Sequence, residues 1–169
     1  VVMGTMRTDP ERQRLHDDLR GLVDGEVLCD DVSLQLYASD ASIYQIRPMA
    51  VVRPRSAADI SATVVYAGDR GLTIHPRGSG SGVAGESLGP GIVLDMSCHL
   101  RRVAIHEDGT RVTVQSGATL SSVNRLLAHS GHWYGPDPAT RAITTMGGVI
   151  ATNASGSHYL RSGSARDTV

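Results

Sequence analysis

Six glycines lie between residues 78 and 91, in a stretch (the glycine window) that separates two short apolar segments. The segments at residues 72–75 and 92–96 each have the composition of a β-strand. A strand that leads into glycine and serine exposes consecutive backbone N–H groups, and such a nest can surround phosphate oxygens. Flexible linkers also have this composition, so a mobile surface loop is the alternative interpretation. Because a linker rarely separates two strands of one core, we expect the window to be the functional region.

Three well-known motifs do not account for the glycine window. A Walker loop ends in Gly-Lys-Ser/Thr, and the window contains no lysine. Residues 80–85 spell the dinucleotide fingerprint Gly-x-Gly-x-x-Gly, but that motif requires a helix to begin on it, and here a strand restarts by Ile92. Ser79, Ser81 and Ser155 do not stand in the Gly-x-Ser-x-Gly setting of a hydrolase nucleophile. The window is therefore predicted to hold phosphate without a crossover helix.

Local signals elsewhere predict an α+β fold with short mixed strands and three helices. The helix starts are Asp9-Pro10, Ser56 with Asp59 three residues later, and Thr119. Asp108-Gly109, between two alternating segments, predicts a β-hairpin. Apolar spacing predicts that the second and third helices bury Ile60, Val64, Ala67, Leu120, Val123, Leu126 and Leu127.

Composition and charge exclude several classes of function. The chain has 16 Lys+Arg and 17 Asp+Glu, a net charge of −1, which argues against nucleic acid or an anionic membrane as the main partner. No apolar run approaches the ~20 residues of a membrane span. Two cysteines do not make a disulfide framework, and the seven histidines lack metal-ligand spacing, so no metal site is predicted. The expected location is cytoplasmic, with a peripheral membrane location as the alternative.

A second region of small and hydroxylated residues follows about seventy positions after the glycine window. It comprises residues 136–138, 144–148 and 153–156. Small side chains allow a planar, polar ligand to approach the backbone closely. We therefore pair this second region with the glycine window as parts of one ligand site.

These segments together resemble the FAD-binding domain of the FAD-linked oxidases, the family of vanillyl-alcohol oxidase, p-cresol methylhydroxylase, glycolate oxidase and D-lactate dehydrogenase. The similar segments are residues 51–60, 76–86, 136–140, 145–148, 153–156 and 161–167. The resemblance implies the N-terminal part of that family's α+β fold, in which two small subdomains hold FAD between them. It also implies a helical lead-in over residues 1–36 and an FAD-binding domain over residues 37–169.

The resemblance further implies which residues bind FAD. The pyrophosphate would be held, mainly through backbone donors, by Arg77, Gly78, Ser79, Gly80, Ser81, Gly82, Val83, Ala84 and Gly85. The pyrophosphate and isoalloxazine side would be lined by Pro136, Thr140, Thr144, Thr145, Gly147 and Gly148, and the flavin or the adenine ribose by Asn153, Ser155 and Gly156. Many relatives attach FAD covalently through a histidine four residues after this arginine. Since Ser81 stands at that position, we predict non-covalent FAD.

The family's FAD domain continues beyond residue 169 and is followed by a substrate-capping domain, so catalytic residues are expected outside the chain and none is named. The segment at residues 40–45 resembles the branch that acts on D-2-hydroxy acids, in which an iron–sulphur cluster would belong to a later domain. The predicted function is the FAD-binding portion of an oxidoreductase for a lactate, glycolate or 2-hydroxyglutarate type acid. The resemblance does not specify the electron acceptor, and the chain alone is expected to be inactive. The alternatives are a non-catalytic ligand-binding module of this fold and a flavoprotein like UDP-N-acetylenolpyruvoylglucosamine reductase.

Overall fold

The computed structural model describes residues 10–169, so the predicted capping residue Asp9 lies outside the described part. The helices are α1 (Pro10–Arg20), α2 (Asp31–Leu36), α3 (Ala57–Asp69), α4 (Leu120–Leu127), α5 (Met146–Ala151) and α6 (Tyr159–Ser162). The strands are β1 (Glu26–Leu28), β2 (Ala50–Arg53), β3 (Ile74–Arg77), β4 (Ile92–Asp95), β5 (Val103–His106) and β6 (Arg111–Val114). The predicted α+β class is confirmed, and α2, α5 and α6 add to the three predicted helices.

The first four strands form one sheet in the order β1-β2-β4-β3, and β5 and β6 form the predicted hairpin. Strands β2, β4 and β3 are parallel, whereas β1 is antiparallel to β2. Parallel strands that are covered on both faces have continuous apolar sequences, as in β4, where every residue is buried. The parallel strands end at Arg53, Asp95 and Arg77, so these three charged residues lie side by side at the carboxyl ends of the parallel strands.

The glycine window is the connection between β3 and β4. These two strands are parallel neighbours, so residues 78–91 must carry the chain from the carboxyl end of β3 to the amino end of β4. Such a return usually contains a helix, but this connection contains none. The structure therefore confirms that the Gly-x-Gly-x-x-Gly spacing is not a dinucleotide fingerprint.

Helices cover both faces of the sheet. On one face, α1 and α3 contribute Leu19 and Tyr66 to a core with Val52 and Leu94. On the other face, Leu34 of α2 and the following Tyr37 pack with Val51 and Val93. Described residues before position 37 thus pack directly on the sheet, and the predicted domain boundary at residue 37 stays a prediction.

A second core lies between α4, the start of α5 and the β5–β6 hairpin. Its buried residues are Ala118, Leu120, Val123, Leu127 and Met146. Two of the predicted inward positions are wrong, because Leu126 is 39% exposed and Val64 is 47% exposed. On α3 the polar Thr63 is buried instead, since its hydroxyl donates to the Asp59 carbonyl oxygen at 2.8 Å. None of the helices in residues 10–169 combines the length and the apolar character needed to cross a bilayer.

Candidate functional site

The glycine window presents a row of unpaired backbone donors. Within residues 10–169, the N–H groups of residues 78–83 donate no hydrogen bond. The Ala84 N–H donates to the Glu86 carboxylate at 3.1 Å, and a Cβ on Gly82 would lie 1.8 Å from that carboxylate. An internal anion therefore ends the row of free donors at residue 84, and the donors before it are available to an external anion.

The start of the window directly contacts the second region. A Cβ on Gly78 would lie 2.2 Å from the Thr145 Oγ1 atom, so only glycine fits there without displacing that side chain. Thr145 is 2% exposed and caps α5, because its Oγ1 accepts a hydrogen bond from the Gly148 N–H at 3.4 Å. Two regions far apart in sequence thus meet at one junction.

Gly147 shows why small residues follow Thr145. Its N–H donates to the Ser116 carbonyl oxygen at 2.8 Å, and a Cβ at this position would lie 2.9 Å from the Ser116 Cβ atom. Thr144, three residues earlier, is 8% exposed, and its carbonyl oxygen accepts a hydrogen bond from the Leu120 N–H at 3.0 Å. Backbone hydrogen bonds therefore hold residues 144–148, which we call the α5 wall, against the start of α4 and Ser116. Sequence reasoning did not assign Ser116 a role in this site.

The remaining predicted residues lie in the segments that precede and follow α5. The Asp137 N–H, next to Pro136, donates to the Ser155 carbonyl oxygen at 2.7 Å, and Gly156 has a φ of +94° beside the Asp137 carbonyl. The Asn153 Oδ1 accepts from the Arg166 N–H at 2.9 Å, so this oxygen supports the backbone. The Thr140 carbonyl oxygen accepts from the Thr144 N–H at 2.9 Å, in the turn that precedes α5. No hydrogen bond or ion pair within residues 10–169 joins this group to the glycine window.

Arg77 folds beneath the window that follows it. Its Nη2 donates to the Ser39 carbonyl oxygen at 2.9 Å, and a Cβ on Gly80 would lie 2.4 Å from the same nitrogen. Gly80 also has a φ of +67°, so this position favours glycine for two reasons. The buried Nη1 has no hydrogen-bond partner among the described residues. An unpaired buried donor costs about 1–3 kcal/mol, so this nitrogen is suited to an acceptor that residues 10–169 do not supply.

Residues 39–45, which we call the strap, run alongside the window. The Ala41 N–H donates to the Gly80 carbonyl oxygen at 3.0 Å, and the Ser87 hydroxyl donates to the Asp40 carboxylate at 3.0 Å. Burial alone would raise the pKa of Asp40, but the hydrogen bonds from Ser42 and Ser87 outweigh it and lower that pKa. The strap therefore fixes the window through a charged carboxylate. Sequence reasoning gave the strap no site role, although Asp40 two residues before Ser42 is an Asx-turn signal.

Four residues of alternating charge lie side by side at the end of the sheet from which the glycine window begins. This charge row consists of Glu26, Arg53, Asp95 and Arg77, on adjacent strands in that order. Arg53 lies 3.1 Å from the Glu26 carboxylate and 3.8 Å from that of Asp95, which is only 4% exposed.

Two groups at the charge row have shifted pKa values. Burial alone would lower the pKa of Arg53, but hydrogen bonds to Tyr37 and Glu26 outweigh it and raise that pKa. Burial, followed by the hydrogen bond to Asp95, raises the pKa of Tyr37 to about 12. Arg53 is therefore charged and Tyr37 neutral at physiological pH. None of the His, Cys, Asp and Glu side chains in residues 10–169 form a group of three placed to hold a metal ion.

Comparison with known proteins matches residues 48–169 to a family described as FAD binding domain. A D-2-hydroxyglutarate dehydrogenase from Pantoea ananatis is 38% identical over 136 residues, which are 78% of this chain and 13% of that protein. A glycolate oxidase subunit from Bacillus subtilis is 34% identical over 138 residues, 79% of this chain and 29% of that protein. The solved structure of 6-hydroxy-D-nicotine oxidase from Arthrobacter nicotinovorans has a TM-score of 0.75 at 26% identity, covering 86% of this chain and 32% of that one. The chain therefore spans less than a third of each of these proteins.

Proposed function

Because the chain belongs to the FAD binding domain family, we propose that it is the FAD-binding portion of an oxidoreductase that acts on a D-2-hydroxy acid. The observation that carries the proposal is the junction of Gly78 with Thr145, beside the free N–H groups of residues 78–83. An extended dinucleotide needs donors for its pyrophosphate and room for close approach to the backbone, and this junction offers both.

The residues at the junction fit the FAD pyrophosphate. The free backbone donors suit its oxygens, and the orphaned Arg77 Nη1 lies buried beneath the same window. We propose that residues 77–85 hold the pyrophosphate and that Thr144, Thr145, Gly147 and Gly148 line the opposite wall. Pro136, Thr140, Asn153, Ser155 and Gly156 would contact a more distant part of the cofactor, because no hydrogen bond within residues 10–169 joins them to the glycine window. When bound, FAD accepts the hydride equivalent of the substrate, while these residues bind and orient it.

We propose that FAD is held without a covalent bond. The side chain at the position where relatives carry the linking histidine is Ser81, whose hydroxyl accepts a hydrogen bond from the Ser79 hydroxyl at 3.2 Å. A serine hydroxyl is a much weaker nucleophile than an imidazole nitrogen at neutral pH. We also propose a cytoplasmic location, which the two free cysteines favour.

The substrate class rests on the relatives. The matched proteins named above include a D-2-hydroxyglutarate dehydrogenase and a glycolate oxidase subunit, both named for 2-hydroxy acids. We propose a substrate of this class and place the substrate-binding and catalytic residues outside the chain. The electron acceptor is left unassigned.

Two measurements on the natural full-length protein test the proposal. Visible absorption before and after acid precipitation should show flavin bands that move to the supernatant, whereas bands that stay in the pellet would contradict the non-covalent claim. Turnover with an artificial dye acceptor should be seen with D-2-hydroxyglutarate, D-lactate or the achiral glycolate, and not with L-2-hydroxyglutarate or L-lactate. A colourless protein that does not take up added FAD would overturn the proposed function and favour a non-catalytic module.

A further inference from the structure

Tyr37 connects the charge row to the arginine beneath the glycine window. Its hydroxyl donates to the Asp95 carboxylate and accepts from the Arg53 Nε at 3.0 Å. Its ring centroid lies 5.7 Å from the Arg53 Cζ and 5.3 Å from the Arg77 Cζ, within the range of cation–π contact. One aromatic ring, 9% exposed, therefore touches both guanidinium groups.

The position of the Arg77 guanidinium depends on few contacts. Besides the Tyr37 ring, these are the hydrogen bond to the Ser39 carbonyl oxygen, the close packing against Gly80 and the electrostatic attraction of the Asp40 carboxylate. Arginine has many rotamers, so a guanidinium held in one place needs contacts that offset the lost side-chain entropy. Its charge partner across the row, Asp95, is engaged by Tyr37, Ser97 and Cys98, so Tyr37 links the two.

We infer that Tyr37 is a positioning residue for the FAD pyrophosphate. Its ring keeps the Arg77 guanidinium beneath the window, so that the buried Nη1 stays available as a donor next to the free N–H groups of residues 78–83. Tyr37 acts through Arg77 and is not itself a cofactor ligand. This inference rests on the proposed function, because it concerns the same FAD site.

The chain provides a matched control in Tyr66 of α3. Tyr66 is 6% exposed, its hydroxyl donates to Asp18 at 2.9 Å, and the Arg70 Cζ lies 3.8 Å from its ring centroid. Asp18 belongs to α1 and Arg70 follows α3, so the interactions of Tyr66 lie away from the window. Replacing either tyrosine by leucine removes a buried ring, a hydrogen bond to an aspartate and the cation–π contacts of the ring, two for Tyr37 and one for Tyr66.

The experiment is an FAD titration of the flavin-stripped full-length protein, below its unfolding temperature, in wild type, Tyr37→Leu, Tyr37→Phe and Tyr66→Leu. Both leucine variants should lower the unfolding temperature of the stripped protein. Tyr37→Leu should raise the Kd for FAD by about tenfold or more, while Tyr66→Leu should change it by less than about twofold. Tyr37→Phe should keep most of the affinity, because its ring remains over Arg77.

Three results would overturn the inference. Equal Kd values in Tyr37→Leu and Tyr66→Leu would reduce Tyr37 to a structural role, and a Tyr37→Phe variant as weak as Tyr37→Leu would exclude the ring as the positioning group. A wild-type protein without saturable FAD binding would overturn the proposed function as well. If Tyr37→Leu does not fold, Tyr37→Met provides the same comparison with an unbranched apolar side chain.

Discussion

The two halves of the described chain build the candidate site in different ways. Residues 10–95 carry the glycine window on a sheet whose main core contains eleven buried side chains, including Leu94. Residues 103–169 carry the α5 wall on a core of five buried side chains, including Leu120. Both halves expose large apolar side chains, such as Ile43 at 95% and Leu160 at 100%, so the difference lies in the size of the buried core.

The difference indicates how the site is organised. The window is anchored by the strap and by charges at a buried sheet edge, whereas the α5 wall depends on backbone hydrogen bonds such as Met146 N–H to the Ala118 carbonyl at 2.8 Å. A region with fewer buried apolar contacts opens locally at lower free energy. We therefore expect a rigid phosphate-binding wall that faces a less stable one, and ligand binding should protect the second wall most.

The largest expected effect comes from the two cores. Leu94→Ala should cost about 3–5 kcal/mol of unfolding free energy and Leu120→Ala about 2–3 kcal/mol, because a smaller core collapses more easily around the lost volume. Peptide-level hydrogen exchange should show faster exchange in both halves for Leu94→Ala and mainly in residues 103–169 for Leu120→Ala. The opposite pattern would refute the difference in local stability.

Gly78→Ala addresses the junction between the halves. The new Cβ would meet Thr145 Oγ1 at 2.2 Å, and overpacking of this kind costs about 1–3 kcal/mol, so the Kd for FAD should rise roughly 10- to 100-fold. Gly68→Ala is the control, because nothing lies within 4 Å of a Cβ there and alanine favours a helix. A Gly78→Ala protein that binds FAD as tightly as Gly68→Ala would remove the junction from the site.

Asp59→Asn and Asp167→Asn compare capping carboxylates in the two halves. Burial alone would raise the pKa of Asp59, but hydrogen bonds from the Arg55 and Asp24 N–H groups outweigh it, and hydrogen bonds from Ser164 lower the pKa of Asp167. A lowered pKa in the folded state stabilises the protein above the unfolded pKa and loses this contribution as the pH falls through the folded value.

The expected result follows from burial. Asp59 is 3% exposed, so Asp59→Asn should cost about 1–2 kcal/mol of unfolding free energy at neutral pH. The stability of this variant should also fall less steeply than that of the wild type below about pH 4. Asp167 lies at the surface, and its variant should change thermal unfolding at pH 7 much less. A pH profile of the unfolding temperature provides the measurement, and an unchanged acid limb in Asp59→Asn would disprove the assignment.

Thr145 gives the smallest expected effect. Thr145→Val removes the Oγ1 that accepts from the Gly148 N–H, which should cost about 1 kcal/mol and raise the Kd for FAD a few fold. Thr145→Ser keeps the hydroxyl and should retain near wild-type affinity. Isothermal titration of both variants is the measurement, and equal weakening in Val and Ser would point to the lost methyl packing instead.

Local signals predicted much of the fold. The caps at Ser56 and Thr119 are found as expected, because a hydroxyl that accepts from the third following N–H is encoded within four residues. Strand β3 begins at Ile74 rather than at Leu72, since the Leu72 N–H returns to the Ala67 carbonyl at the end of α3. Helix α2 was missed because it is only six residues long and its one buried side chain, Leu34, gives no helical periodicity.

Composition and resemblance proposed the residues of the candidate site, but not the contacts between them. Which residues face each other across the junction depends on where the β3–β4 connection meets α5, and no local pattern encodes the approach of Gly78 to Thr145. The same holds for Tyr37, whose partners Arg53, Arg77 and Asp95 stand on three different strands. These contacts join residues that are far apart in the sequence, so they form only when the sheet brings the strands together.

The most direct test of the account is an FAD titration across the double-mutant cycle of Gly78→Ala and Thr145→Ala in the full-length protein. If the two residues meet at the cofactor site, removing Oγ1 makes room for the new Cβ, and the double variant should bind FAD no more weakly than Gly78→Ala alone. Losses of affinity that simply add would mean that the two positions are independent, and would contradict a single FAD site built from both halves.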